Sequence, residues 1–464
     1  MNKKHTLYTC LSLAALLPAM FSSASADDLE QSVASDYKYV EALYKNFHAN
    51  PELSFKESNS AAKISSELEQ LGFKVSKNVG RKWTHKKAKT DVGEVLDGVD
   101  GYGLIGIYKN GEGPTILVRA DMDALPLKER TGVSYASQAT GIDYKGQEAP
   151  VMHACGHDVH MSVMVGTARR LIAMKDKWSG TLIMVGQPAE ELGLGALAMI
   201  DGGLFKRIPT PDYNIALHVT GAAPAGSITY TPGFALANVD TVDVIVKGVG
   251  GHGAAPHLAV DPVLIGSRIV TSLQSIVARE VDPLESGVIT VGSFQAGFKH
   301  NIIPDKAHLK ITVRSYTDEV RNKLIDGIKR TAKAQAISAG LSEDLYPEVL
   351  VESDNLVSTY NDPELSTRVA SVLETRFGKE HVIESPPVMG GEDFAYFSKT
   401  DENIPSFMFW LGGADPDAFA AYQAGKGLRP PSNHSPFFAP VPEPTLKTGV
   451  EGMTAAVLDL FQSR

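Results

Sequence analysis

The sequence predicts an α/β fold: an open sheet with helices on both faces, interrupted by a compact α+β insertion. Three observations point there. Short apolar runs at 115–120, 181–185 and 213–219 read as buried strands and alternate with stretches of helical periodicity. Each run has polar residues at its C-terminal end: Asp121-Met-Asp123, Gln187-Pro-Ala-Glu190-Glu191 and His218. In open α/β sheets the site lies in the crevice beyond those ends. From about 237 to 353 the pattern changes to alternating strands and amphipathic helices, after which the α/β character returns.

The N-terminus reads as a targeting segment. Lys3 and Lys4 precede an apolar run at 11–21, and Ala24-Ser25-Ala26 has the small residues of a cleavage site. This predicts a signal peptide over 1–26 and an exported protein, periplasmic or secreted. No later run is long and apolar enough to span a membrane. Loss of Lys3 and Lys4 takes the net charge from -10 to -12, a balance that argues against nucleic acid or anionic membrane as partners. Of the 2 cysteines, Cys10 lies in the expected signal, so Cys155 has no partner for an internal disulfide. An exposed free thiol is a liability in an oxidising compartment, and a metal ion holding the thiolate would remove it.

Helical spacing runs through 28–48, and a second helix starts near Glu57 and ends at Gly72. The basic run 81–89 and the glycine-rich 93–106 suggest a surface loop or hairpin. A helix is expected from about Met161 to Met174. In the insertion, residues 239–247 alternate, Asp261-Pro262 caps and opens a helix, and 287–294 is a strand. Residues 306–316 put Ala307, Leu309, Ile311 and Val313 on one face and His308, Lys310, Thr312 and Arg314 on the other. A helix over 318–339 and a strand near 349–352 complete a βαββαβ unit with both helices on one face. The predicted organisation is a catalytic domain in two parts, 27–236 and 354–464, around an inserted domain at 237–353.

The chemistry centres on VMHACGHDVH at 151–160, with three histidines, an aspartate and a cysteine in ten residues. Such a cluster suits a metal site, or a thiol nucleophile with a histidine base. Asp121 and Asp123 are two apart on a strand and can face one crevice. At a strand end, one of Glu190 and Glu191 can bind metal while the other faces substrate. His218 and His434 are each ambiguous alone, and the glycine-flanked His252 fits a tight loop equally well.

Together these segments resemble the zinc- and manganese-dependent exopeptidase and aminoacylase superfamily. The branch is that of hippurate hydrolases, bacterial N-acyl amino acid amidohydrolases and plant auxin-conjugate hydrolases. The resemblance rests on HANPELSFKE at 48–57, RADMDALP at 119–126, MHACGHDVH at 152–160, QPAEE at 187–191 and ALH at 216–218. It continues through GGHGAAPH at 250–257, HNIIP at 300–304, Arg314, GGEDF at 390–394 and NHSP at 433–436. It implies two divalent metal ions, manganese or zinc and otherwise cobalt or nickel, held by Cys155, His157, Glu191, His218 and His434. Glu190 would be the general base, and Asp121, Asp123 and Asp158 would orient ligands. The inserted domain would serve as lid and homodimer contact, with His252 reaching a neighbouring subunit's oxyanion. Asn301 and Arg314 would hold the substrate carbonyl and carboxylate, and Gly390 and Gly391 would let backbone approach it. Residues 80–100 depart from the family pattern, being longer and more basic.

The expected activity is hydrolysis of the amide of a small N-acyl amino acid, with a dipeptidase or metallo-carboxypeptidase as the alternative. A thiol hydrolase built on Cys155 with His153 or His157 leaves Glu190, Glu191, His218 and His434 without a role. A non-catalytic binding protein of the same fold leaves Glu190 unexplained.

Overall fold

The structure is a computed structural model that describes residues 23–86, 95–143, 145–352 and 355–462. Helix α1 (Ser23–Ala49) places Leu29, Val33, Val40, Leu43, Tyr44 and Phe47 on one buried face, as its helical spacing requires. Ala24-Ser25-Ala26 of the expected signal fall among the first residues of this helix. The rest of the expected signal, at 1–22, lies outside the described residues. Helix α2 (Ser58–Gln70) follows.

The region 80–100 belongs to a long antiparallel hairpin, β1 (Lys74–Lys86) and β2 (Val95–Asn110), whose register shifts repeatedly. The tip of the basic run, 87–94, lies outside the described residues. Trp83 fixes the hairpin to the body. Its ring packs on Phe55, and its Nε1 donates to Asp201 at 2.8 Å.

The hairpin borders an eight-stranded sheet whose four central strands are parallel. They are Gly180–Gln187, β3 (Thr115–Asp121), Tyr213–Pro224 and Ser406–Ala414, in that spatial order. β3 and Gly180–Gln187 are buried along their whole length. That is the consequence of helical layers on both faces, and it explains why their sequences read as continuous apolar runs. One face carries α1, the helix α3 (His157–Ala173) and the last helix Pro442–Leu460. The other packs against Met199, Leu204, Phe394 and Phe397.

α3 begins four residues earlier than the periodicity predicts. The chain turns into it at Gly156, whose φ is +89°. A Cβ there would lie 2.3 Å from Val219 Cγ1, so only glycine allows the turn so close to the strand. His157 thereby becomes the first residue of a buried helix.

The insertion is a second, four-stranded antiparallel sheet in the order Gly287–Ala296, Lys306–Ser315, Asn238–Lys247, Glu348–Val351. Helices Pro262–Arg279 and Asp318–Ser338 pack on one face through Leu273, Ile276, Leu324 and Ile328. Asp261 caps the first, accepting from Val263 N–H at 2.8 Å, and Thr317 caps the second. The βαββαβ order and the single helical face match the alternation read from 306–316.

A buried histidine ties α1 to the loop side of α3. His48 Nδ1 contacts Asp158 Oδ2 at 2.6 Å and its Nε2 contacts Glu129 Oε1 at 3.0 Å. Burial alone would lower the imidazole pKa, but the two carboxylates outweigh it and raise it to about 10. The stabilisation is therefore complete below about 6.5, the unfolded value, and is lost as pH rises through about 10. We expect His48→Gln to cost on the order of 3–5 kcal/mol near pH 7, the scale for unpairing buried charge. Urea unfolding at stepped pH checks it: the gap between wild type and variant should narrow from pH 7 to above 10. A gap that stays constant over that range would show that His48 is neutral in the fold.

Candidate functional site

Cys155 ends the loop before α3, and His157 starts the helix. Glu190 and Glu191 lie on a 3-10 turn, Glu190–Leu192, beyond the strand Gly180–Gln187. His218 sits within Tyr213–Pro224. His434 comes from a loop near the C-terminus, 279 residues after Cys155, with φ at +66°. That loop is held by Asn433, whose Nδ2 donates to the carbonyls of Cys155 (3.0 Å) and Val219 (2.9 Å). His434 N–H donates to Ala154 O at 2.8 Å.

The donor atoms converge. Cys155 Sγ is 3.5 Å from His218 Nε2 and 3.3 Å from His434 Nε2. His434 Nε2 is 3.4 Å from Glu191 Oε2, and His157 Nε2 is 3.8 Å from Glu190 Oε2 and 4.0 Å from Glu191 Oε1. The groups Cys155/His157/His218, Cys155/Glu191/His434 and His157/Glu190/Glu191 each bring donor atoms within 4.8 Å, a spacing that can hold a metal ion.

Two histidines have their tautomers set by backbone. His157 Nδ1 is 2.8 Å from Asp123 O, and His218 Nδ1 is 2.8 Å from Val219 O. A carbonyl only accepts, so each Nδ1 carries the proton and each Nε2 turns a lone pair into the cluster. His157 Nε2 and Glu191 Oε1 are buried without a hydrogen-bond partner in the protein. Atoms so placed cost free energy unless something else meets them.

The electrostatics agree. Burial, then the charges of Glu392, Glu191 and Asp393, push the Glu190 carboxyl well above the usual range. Burial and Glu191 push the Cys155 thiol up. Hydrogen bonds to Cys155 and Glu191 raise His434 to about 10. Burial is the larger cause for Glu190 and Cys155, and neighbouring carboxylates add to the rise at all three.

The expected orienting residues divide. Asp123 accepts Glu190 N–H on Oδ1 and Glu191 N–H on Oδ2, each at 3.1 Å, while Ser54 Oγ donates to it at 2.6 Å. Asp121 lies 3.7 Å from His157 Nε2 and bonds His160 Nδ1 at 2.5 Å. Asp158 bonds instead with His48, so it supports the base of α3 and not a candidate ligand.

Arg314 lines the cavity beside Cys155, His218 and His434. His252 and Asn301 do not reach it within one chain; they share a separate cleft with Phe298 and Ile302. Gly390 and Gly391 both line the cavity, but Gly391 answers to packing. A Cβ there would lie 2.5 Å from Leu356 Cδ2 and 2.6 Å from Val239 Cγ2. The cavity has two arms that meet at Arg314 and the candidate ligands. One runs to Leu192, Thr241 and Leu356, the other to Leu236, Val388 and Trp410.

Several residues escaped the sequence reading. Arg119, fully buried in β3, bonds Asp121 Oδ2 (2.6 Å), Glu392 Oε1 (2.8 Å), Asp393 Oδ1 (3.1 Å) and Gln187 Oε1 (2.9 Å). A cation inside an otherwise apolar strand was the available signal. Trp410, in register with His218 across two parallel strands, had none, because an aromatic in a buried strand reads as core.

The comparisons with known proteins follow this geometry. The model for peptidase family M20/M25/M40 matches residues 117–425. Thermostable carboxypeptidase 2 of Saccharolobus solfataricus is 32% identical over 91% of this chain and 96% of its own. N-acetyldiaminopimelate deacetylase of Leuconostoc citreum is 37% identical over 67% of this chain and 76% of its own. The solved structure of the YXEP protein of Bacillus subtilis, a dinuclear metal binding peptidase from the M20 family, superposes with a TM-score of 0.71 at 25% identity. It covers 93% of this chain and 100% of that one. The expectation of export is corrected: the relatives the chain matches, N-acetyldiaminopimelate deacetylase and N-acetylcysteine deacetylase among them, speak against it. With a buried donor cluster at the C-terminal edge of a parallel sheet, and a family match across both sheets, the chain belongs to peptidase family M20/M25/M40, hydrolases of amide bonds.

Proposed function

We propose that the protein is a binuclear metallo-amidohydrolase that cleaves N-acyl amino acids, of the hippurate or auxin-conjugate kind, to a carboxylic acid and a free amino acid. The observation that carries this reading is the convergence of unpartnered lone pairs, His157 Nε2 and Glu191 Oε1, with Cys155, His218 and His434 around Glu190. Thiolate, imidazole and carboxylate together suit manganese or zinc, with cobalt or nickel as substitutes. Cys155, His157, Glu191, His218 and His434 would hold two such ions. When bound, the ions supply the positive charge that makes water acidic and polarises an amide carbonyl.

The chain's own residues supply the rest. Glu190, a buried carboxyl with raised proton affinity, takes the proton of the attacking water and delivers it to the leaving nitrogen. Asp123 fixes Glu190 and Glu191 through their N–H groups. Arg314 is half-buried at the junction of the two cavity arms and offers its planar fork to the amino acid carboxylate. The arm toward Leu236, Val388 and Trp410 is apolar and suits the acyl group.

A dipeptidase or carboxypeptidase reading is favoured by one observation, the carboxypeptidase similar over nearly the whole chain. The same groups serve a peptide bond. The active form we propose is a homodimer through the insertion. Leu258, Phe298 and Ile302 are exposed apolar residues there, and His252 stands beside them, away from its own chain's centre.

Chelation should abolish hydrolysis of N-acyl amino acids and dipeptides, and manganese, zinc or cobalt should restore it. Glu190→Gln should keep its metals and lose at least ~10²-fold in kcat, whereas Cys155→Ser should lose metal. Elemental analysis beside kinetics checks both. Full activity in verified metal-free protein would sink the reading.

His252→Ala should lower kcat by roughly 10²-fold, the scale of one oxyanion donor, with metal content unchanged. If His252 acts across the dimer, mixing Glu190→Gln and His252→Ala subunits should regenerate activity. Mixed dimers isolated by two tags, yet inactive, would confine His252 to its own chain.

A further inference from the structure

The turn that carries Glu190 begins at Ala189, a non-glycine residue in the left-handed region with φ 50° and ψ 41°. A side chain disfavours that conformation, so it persists only where surroundings impose it. The imposing group is a buried carboxylate far away in sequence. Glu57 Oε1 accepts Ala189 N–H at 2.8 Å and Phe55 N–H at 2.8 Å. Phe55 is left-handed too, with φ 61°. Glu57 is therefore one acceptor clamping two disfavoured residues, 132 positions apart from the second.

The clamp does not stand alone. Asp123 accepts the next two amides, Glu190 N–H and Glu191 N–H, and is held by Ser54. Three successive backbone N–H groups thus end on two buried carboxylates, and residues 54 and 57 stand behind both. Ala124 N–H donates to Glu52 O at 2.8 Å, so the 52–57 segment touches both active-site loops. Trp83 of the long hairpin packs with Phe55, Ala189 and Leu194 against the outside of the turn.

We infer that Glu57 is a positioning residue for Glu190, setting the direction in which the base leaves the backbone by locking Ala189 in its left-handed conformation. The inference rests on the general-base reading of Glu190. Burial and the nearby Asp123 push the Glu57 carboxyl well above the usual range, and its bonded Oε1 acts as an acceptor that a glutamine amide oxygen can reproduce. Its Oε2 has no hydrogen-bond partner, and Gln leaves the bonded oxygen in place.

The test compares Glu57→Met, which keeps length and removes the acceptor, with Glu57→Gln, which keeps it. A displacement of about 1 Å at a catalytic group costs up to ~10²-fold. For the metal-loaded enzyme we expect Glu57→Met to lose about tenfold or more in kcat with KM and metal content unchanged. Glu57→Gln should stay within about threefold of wild type. In metal-free protein, amide hydrogen exchange across residues 188–194 should be faster in Glu57→Met than in wild type. A kcat within about twofold for Glu57→Met, a parallel loss of metal, or unchanged exchange would each overturn the inference. Should Glu57→Met not fold, Glu57→Asp, whose carboxylate is retracted by one methylene, takes its place under the same criteria. If wild type hydrolyses neither N-acyl amino acids nor dipeptides, the reading of Glu190 fails, and the exchange comparison still decides whether the clamp exists.

Discussion

A carboxylate buried below the edge of a sheet must find a cation or a set of N–H groups, and this constraint shapes the protein from α1 to the last loop. Asp121, Glu392 and Asp393 are all buried, and Arg119 is the group that answers them. Asp158 and Glu129 are answered by His48. Asp123 and Glu57 are answered by backbone amides. Two carboxylates are not settled this way. Glu190 and Glu191 face each other's charge, and Glu191 Oε1 has no hydrogen-bond partner. Around the cluster the fold pairs its carboxylates, whereas within it Glu191 Oε1 and His157 Nε2 are left for another group to meet.

The two sheets meet at that point. Arg314 stands on the insertion's central strand pair, opposite Val239, and lines the cavity beside Cys155, His218 and His434, none of which belongs to the insertion. Gly391 makes the meeting close, since any side chain there would strike Val239 and Leu356. On the proposed reading, substrate recognition would be shared between the insertion and the larger domain, whereas the candidate metal ligands and base come from the larger domain alone. A shift of the insertion would move Arg314 relative to Glu190 without disturbing a ligand.

What was legible in the sequence follows from how local each signal is. Strand runs, helix caps and the alternation at 306–316 are local, and the fold class followed from them. The ligand candidates were legible only as a set, since His218 and His434 each read alone as ordinary residues. Their meeting at Cys155 depends on Asn433 bonding two separate carbonyls. The start of α3 was placed late because the periodicity sees apolar residues, whereas a left-handed Gly156 decides the turn. The partner of Asp158, His48, lies 110 residues away, beyond the reach of a local signal. The N-terminal reading relied on the order of a basic region, an apolar run and small residues, a pattern that the relatives speak against.

Cys155 shows how geometry separates two chemistries that composition cannot. A cysteine nucleophile needs a depressed pKa, and here burial and Glu191 raise it. A nucleophile's base should accept its proton, yet burial and His160 hold His218 well below the usual imidazole range. His434 is shifted the other way, to about 10, by the same thiol and Glu191. His218 and His434, 3.5 and 3.3 Å from that sulfur, are not the histidines, His153 and His157, that the thiol reading would have used. His218 and His434 do form two donors on either side of a shared third, and Cys155 belongs to two of the donor groups that can hold a metal ion. On the proposed reading Cys155 would serve as a metal ligand, and the proton chemistry would fall to Glu190 and not to the thiol.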